Sequence, residues 1–387
     1  MALAFALSMG AAVSLGITRF AYGLLLPAMR SDLSWSYALA GAMNTVNALG
    51  YLMGALVTPR LMRQWGPGAV LSFGAVLASI FMVLSGFFTE APLLLAQRLL
   101  AGIASALVFI AGGLLAARLG ALDPQRAGLL LGVYYGGTGF GIVISSALVP
   151  WVLDQTSLLP HGWRFAWWAL GAVCLLATVL LVWAARAMAP WTSGAAAASG
   201  NAAVFQWRTF RYGLMGYLLF GVGYIGYMTF VVALLRTQGR SALEIAVFYG
   251  LLGLAVVASS RIWAGLLDRY KDGRPMTLLN VLLGGATVIP ALTPYGPLVL
   301  LSGMLFGAVF LSVVAASTAL VRHNLPQSAW AAGIGAFTAA FAAGQIVGPT
   351  IVGWIADGPG GLERGLVFSA LALWTAAALA SRQRSTL

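Results

Sequence analysis

Apolar residues in this chain come in long blocks, broken at short intervals by arginine, aspartate, proline and serine. The blocks run roughly over 2–29, 36–58, 67–88, 91–117, 126–153, 163–187, 209–235, 242–267, 275–294, 297–321, 328–355 and 362–380. A helix needs about 20 apolar residues to cross the hydrocarbon of a bilayer, and each block suits that length. No block shows the residue-by-residue alternation of a membrane barrel strand. Lipid offers no partner to an open strand edge, so the spanning elements must be helices. The pattern predicts an all-α membrane protein with twelve transmembrane helices.

The polar breaks carry a second layer of information. The longest, 188–207, is rich in Ala, Ser and Gly and reads as a flexible linker. It divides the chain into a six-helix half over 1–187 and another over 208–387. The halves repeat: at one constant offset Gly16 falls on Gly221, Tyr22 on Tyr227, Gly102 on Gly307 and Gly139 on Gly344. A parallel repeat of six helices predicts two halves related by a pseudo-two-fold axis, with a small-molecule site between them near mid-membrane. Thirteen of the 21 lysines and arginines fall in the breaks and tail on the side of the linker. The positive-inside rule then places both termini in the cytoplasm.

Composition narrows the class. Hydrophobic residues make up 61% of the chain and charged residues 8%, against about 45–50% and 25% in soluble domains. The net charge of +12 is scattered between apolar blocks rather than clustered, which argues against nucleic acid as a partner. Cys174 is the lone cysteine, and His161 and His323 stand far apart, so neither an internal disulfide nor a metal site is expected. There is no Ser–His–acid set for hydrolysis, and no cofactor motif. The apolar N-terminus lacks a basic n-region and carries Arg19, so it reads as a retained helix rather than a signal peptide.

Three arginines lie inside the blocks: Arg19, Arg98 and Arg261. An intramembrane arginine costs at least about 2.5–3.5 kcal/mol and marks a functional site by default. Arg19 stands about 15 Å from the far end of its helix at 1.5 Å per residue, near mid-depth. It either faces a substrate or hydrogen-bonds the carbonyls of a broken neighbouring helix. The uncharged polar residues form stripes. Asn44, Asn47 and Tyr51 share one face of the second helix, and Tyr217, Tyr224 and Tyr227 one face of the seventh. Such stripes are costly against lipid, so they face protein or water. Tyr22, its repeat mate Tyr227, Tyr224 and Gln345 are the further candidates for a central cavity. Trp151, Trp163, Trp167 and Trp168 read as an interfacial aromatic belt.

Several motifs resemble those of the major facilitator superfamily. Arg98-Leu-Leu-Ala-Gly102 is similar to its fourth-helix arginine motif. Ala264-Gly-Leu-Leu-Asp268-Arg269, with Lys271 and Arg274 following, resembles the loop motif after helix 8, where the resemblance implies an Asp that caps a neighbouring helix and basic residues that latch the bundle. The first-half copy has Thr58 in place of that Asp. Gly344-Gln-Ile-Val-Gly348-Pro349 resembles the family's Gly- and Pro-containing helix motif. Arg261-Ile-Trp-Ala-Gly265 has the spacing found in monocarboxylate and nitrate transporters of the superfamily, which implies an anion-binding arginine; the alternative is a latch residue pairing with loop groups near the inner face. A finer resemblance, carried by Gly16-Ile-Thr-Arg-Phe-Ala-Tyr-Gly23 and Gly223-Tyr-Ile-Gly-Tyr-Met-Thr-Phe230, is to the YbfB/YjiJ-type bacterial branch.

The expectation is a secondary transporter of the bacterial inner membrane, not an enzyme, working by alternating access. Its substrate-binding set is Arg19, Tyr22, Asn44, Asn47, Tyr51, Tyr224, Tyr227, Arg261 and Gln345. Arg98, Asp268 and Arg269 form a switch or structural set. Three arginines without an intramembrane acid point to an organic anion such as a carboxylate, moved by proton symport or anion exchange. The alternatives are an exporter of neutral or amphipathic compounds and, from another class, a non-transporting membrane sensor. The superfamily resemblance implies a monomer.

Overall fold

The computed structural model of the chain describes residues 1–191, 206–326 and 329–385. Most of the expected linker, 192–205, lies outside the described residues. The chain folds as twelve long helices, and no strand occurs among the described residues. They are α1 (Ala2–Asp32), α2 (Tyr37–Trp65), α3 (Pro67–Leu84), α4 (Ala91–Leu122), α5 (Ala127–Gln155), α6 (Trp163–Met188), α7 (Arg211–Thr237), α8 (Ala242–Arg269), α9 (Arg274–Leu292), α10 (Gly296–Asn324), α11 (Trp330–Ala356) and α12 (Gly361–Ala380).

Eleven of these helices are long and apolar enough to cross a membrane. The remaining one, α2, carries the Asn44–Asn47–Tyr51 stripe, and its two asparagines are satisfied inside the bundle. Several helices overrun their apolar blocks where the chain stays helical past the lipid edge: α2 continues through Arg60 and Arg63 to Trp65. Ser241 caps α8 through a reciprocal pair with Glu244, and Pro67, Pro92 and Pro275 sit in first turns where no N–H is needed.

The helices run alternately up and down, so Met1, the end of α6, the start of α7 and the end of α12 share one end of the bundle, here the linker end. Within the first half, α2 packs on α4 so closely that a side chain on Gly102 would collide with the carbonyl of Asn47. The second half repeats this on α8 and α10, where Gly307 meets the carbonyl of Leu252. Both partners stand at the same spacing in sequence as their first-half mates.

The halves meet along α1–α7, α2–α11 and α5–α8. The contacts across this seam lie from the middle of the bundle to its far end. Tyr249 donates to the carbonyl of Phe20 at 2.9 Å, Asn44 to Thr229 at 2.8 Å, and Thr45 to the carbonyl of Ile346 at 2.6 Å. The Asp357 carboxylate closes the far end by accepting from the backbone N–H groups of Tyr37 and Ala38, at 2.7 and 2.9 Å. Toward the linker end the seam loosens, and Gly128 of α5 and Gly265 of α8 have no neighbour within 4 Å of where a side chain would sit.

Candidate functional site

The first helix is not α-helical throughout. Residues Ala12–Phe20 form a π-helix, which ends beside Arg19. Wide turns of this kind are rare and recur at functional sites, because they release carbonyls from the ordinary ladder. Here Ser14 and Ser105 pin the segment to α4 by donating to each other's carbonyls, at 2.8 and 3.1 Å. The Thr18 hydroxyl turns back to the carbonyl of Val13. The carbonyl of Thr18 accepts from Arg98 at 2.7 Å.

Arg98 is therefore a structural hub. It is 2% exposed, and its other Nη donates to Asn44 at 3.1 Å. Asn47 donates to its backbone carbonyl at 3.0 Å. Its guanidinium also stands 5.0 Å from the ring centre of Tyr22 and 5.8 Å from that of Trp167.

Arg19 behaves differently. It is buried like Arg98, but it borders a cavity of about 290 Å³ between the halves. Its Nη2 donates to Oε1 of Gln345 at 2.7 Å, and the Gln345 amide donates to the Tyr224 hydroxyl at 2.5 Å. The Tyr51 ring lies 5.9 Å from the guanidinium. The Arg19 Nε, like that of Arg98, is buried without a partner, and no carboxylate pairs with Arg19 among the described residues. The chain Arg19–Gln345–Tyr224 joins α1 of one half to α11 and α7 of the other, with a net positive charge at the cavity wall.

The rest of the wall is aromatic. Tyr217, Phe220 and Tyr224 of α7 lie nearly parallel to Phe341 of α11, with ring centres 4.9, 5.4 and 5.5 Å away. Phe310 of α10 stacks on Tyr224 at 5.9 Å. Apart from Arg19, Gln345 and Thr338, every residue around the cavity is apolar or aromatic. Ligand sites of this kind combine an apolar lining with a few fixed polar groups. Among the described residues no group of His, Cys, Asp and Glu could hold a metal.

Of the residues expected at the site, Arg19, Tyr51, Tyr224 and Gln345 line the cavity. Asn44 and Asn47 do not: one bridges the halves and the other holds α4. Tyr22 is tied to the carbonyl of Ala40 at 2.8 Å, and Tyr227 is buried against Phe306 with its hydroxyl 3.3 Å from Ser302. Arg261 is exposed on α8 and is not among the residues lining this cavity; it lies one turn beyond Val257, which packs on Gly139 of α5 across the seam. Asp268 and Arg269 are also exposed, and Asp268 makes no ion pair among the described residues. The tryptophan belt is likewise corrected in part. Trp163 and Trp167 are 2% and 1% exposed, and Trp163 donates to Asp32. Phe109, Phe220, Phe310 and Phe341 also line the cavity, and single phenylalanines inside apolar blocks carry no signal of it in the sequence. A larger cavity, about 810 Å³, lies at the linker end beside the C-terminal tail, away from the seam.

The family described as uncharacterised MFS-type transporter YbfB matches residues 11–381. The chain belongs to this family of the major facilitator superfamily. It is a transporter rather than an enzyme, with a small-molecule substrate and a membrane around its helices. A chloramphenicol resistance protein of Streptomyces lividans is 28% identical to this transporter over 383 residues, covering 95% of the chain and 93% of that protein. The fold is that of solved major facilitator structures. A mutant of the nucleoside transporter NupG superposes with a TM-score of 0.75 at 16% identity, over 98% of this chain and 99% of that one. A bacterial homologue of the human lysosomal transporter Spinster, in an inward-facing and unoccupied conformation, superposes with a TM-score of 0.72 at 16% identity, over 97% and 95%.

Proposed function

We propose that this transporter exports small aromatic, amphipathic compounds. The observation that carries the reading is the cavity itself: a stack of near-parallel rings, with one guanidinium at its edge and no carboxylate. A planar ligand stacks on Tyr217, Phe220 and Phe341 while an acceptor group on it replaces Gln345 at Arg19. The likeness to a chloramphenicol resistance protein supports the direction and the ligand class. In this reading the linker end faces the cytoplasm of a bacterial inner membrane, and the halves 1–187 and 208–387 rock about the seam to give alternating access.

The test is resistance. The wild-type chain and Arg19→Ala are expressed at equal membrane abundance in a host stripped of its own efflux pumps. Growth-inhibitory concentrations are then read for chloramphenicol and other small aromatic compounds. A rise of several-fold with wild type, lost in the variant, supports the proposal. No change for any compound overturns it.

One observation favours a second reading, an organic anion as cargo. The Arg19 charge has no counter-ion, and a guanidinium fork suits a carboxylate. Benzoate and benzamide present the same ring with and without that charge. A ligand at 100 times its dissociation constant stabilises the protein by about 2.7 kcal/mol. A thermal shift with benzoate alone supports the anion; equal shifts support the amphipathic compound.

A further inference from the structure

Four arginines surround the cavity at the linker end. Arg208 comes from the turn before α7, Arg211 from its first residue, and Arg382 and Arg384 from the tail after α12. All four are exposed, and none forms an ion pair among the described residues. Among the described residues no carboxylate contributes to the wall, and the stretch 192–205 contains no Asp or Glu in sequence.

The arrangement is held from beneath by one buried side chain. Gln383 is 4% exposed. Its Oε1 accepts from the backbone N–H of Gly213 at 3.0 Å, and its Nε2 donates to the carbonyls of Thr209 and Arg384, at 3.1 and 3.0 Å. Its own carbonyl accepts from Gly273 at 3.0 Å. The tail is thus clamped to the first turn of α7 and to the loop before α9, and the two pairs of arginines are kept facing one cavity. Like charges held together repel one another unless an anion lies between them. The helix start adds its own positive end.

We propose that this cavity binds a phosphate group. Guanidinium forks match phosphate oxygens in pairs, and the space of about 810 Å³ admits a headgroup larger than the ion alone. Trp207 is 60% exposed next to Arg208, and Tyr212 lies under Arg211, whose guanidinium is 4.8 Å from its ring. Aromatic residues of this kind sit at the level of lipid headgroups. The phosphate belongs either to an anionic lipid of the adjoining leaflet or to a free phosphate compound, and the two sources separate in one experiment.

The purified full-length chain in detergent is titrated with phosphatidylglycerol, with phosphatidylcholine and with inorganic pyrophosphate. Bound lipid is counted by native mass spectrometry, and thermal stability is followed in parallel. Two variants are compared with wild type: Arg382→Gln with Arg384→Gln in the tail, and Arg60→Gln with Arg63→Gln at the linker end of the other half. Unchanged stability of the tail variant without added anion shows that it is folded. If it unfolds instead, Arg208→Gln with Arg211→Gln takes its place. Phosphatidylglycerol is expected to bind wild type, with affinity falling roughly fivefold for each cavity arginine removed and hardly at all in the Arg60/Arg63 variant. Binding of pyrophosphate with the same dependence assigns the site to a soluble phosphate. Equal loss in both variants, or equal binding of phosphatidylcholine, overturns the proposal.

Discussion

Arg19 and Gln345 are 326 residues apart in sequence and 2.7 Å apart in space, joined by a hydrogen bond that crosses from one half of the bundle to the other. The acceptor is a neutral amide, so the guanidinium keeps its charge uncompensated at the cavity wall. In the proposed function a ligand oxygen that replaces Gln345 gains the same bond and frees α11 from α1, which makes ligand binding and the contact between the halves one exchange.

That exchange predicts the behaviour of Arg19→Ala. A hydrogen bond to a charged group is worth about 1.5–3 kcal/mol, so affinity for ligands carrying an acceptor falls roughly ten- to a hundredfold. Folding stability falls by no more than about 1–3 kcal/mol, the cost of leaving the Gln345 Oε1 without its donor, offset in part by removal of a buried charge. Arg19→Lys keeps the charge but offers no planar fork, and ligand affinity recovers only in part. Isothermal titration or thermal shift against one ligand reads all three proteins.

Arg98→Met has the opposite profile. It strands the carbonyl of Thr18 and the Asn44 side-chain oxygen inside the bundle. Each buried group left unpaired costs about 1–3 kcal/mol. The apparent melting temperature falls and the π-helical turn is lost, so transport fails even where protein reaches the membrane. Melting of the purified variant without ligand checks this.

The far end is held by backbone contact between the halves. A side chain on Gly41 would strike the carbonyl of Pro349 on α11. Gly41→Ala is expected to fold, because the collision arises only when the far end closes, and to rest open at that end. Asp357→Asn weakens the same closure by removing charge from the cap on α2. Spin labels at far-end positions of α2 and α11 should report a longer mean distance in both variants. By contrast Gly102→Ala collides with Asn47 inside one half and lowers the yield of folded protein.

Phe341 bears on three rings of α7. Aromatic pairs are worth about 0.5–1.5 kcal/mol each beyond the area they bury. Phe341→Ala should weaken planar ligands by about tenfold while admitting bulkier ones. The shift in the resistance spectrum between small and large aromatic compounds measures it.

Much of the fold was legible in the chain. All of the helices but α2, which runs on to Trp65, end within a few residues of the apolar blocks, and lipid admits no other spanning element. The repeat was legible too, since the glycines that carry it are fixed by close backbone approach: Gly102 under Asn47, Gly307 under Leu252. The site was legible only in part. A stripe such as Asn44–Asn47–Tyr51 shows which residues share a face, yet the face is wide enough for its members to meet three different partners. Asn44 reaches α7, Asn47 reaches α4, and Tyr51 alone borders the cavity.

The sequence by itself determined that the chain crosses a membrane in helices, that it is built twice over, and that three arginines fall inside apolar blocks whose middles hold no acid. Hydropathy, spacing and charge are properties of the chain and survive without coordinates. Tertiary structure alone decided what each arginine does. Arg98 is enclosed by carbonyl and amide oxygens and becomes part of the frame, whereas Arg19 meets one neutral amide and a cavity, and Arg261 is exposed. The difference is which groups the neighbouring helices bring within hydrogen-bonding reach, and that depends on how each helix is rotated against the others.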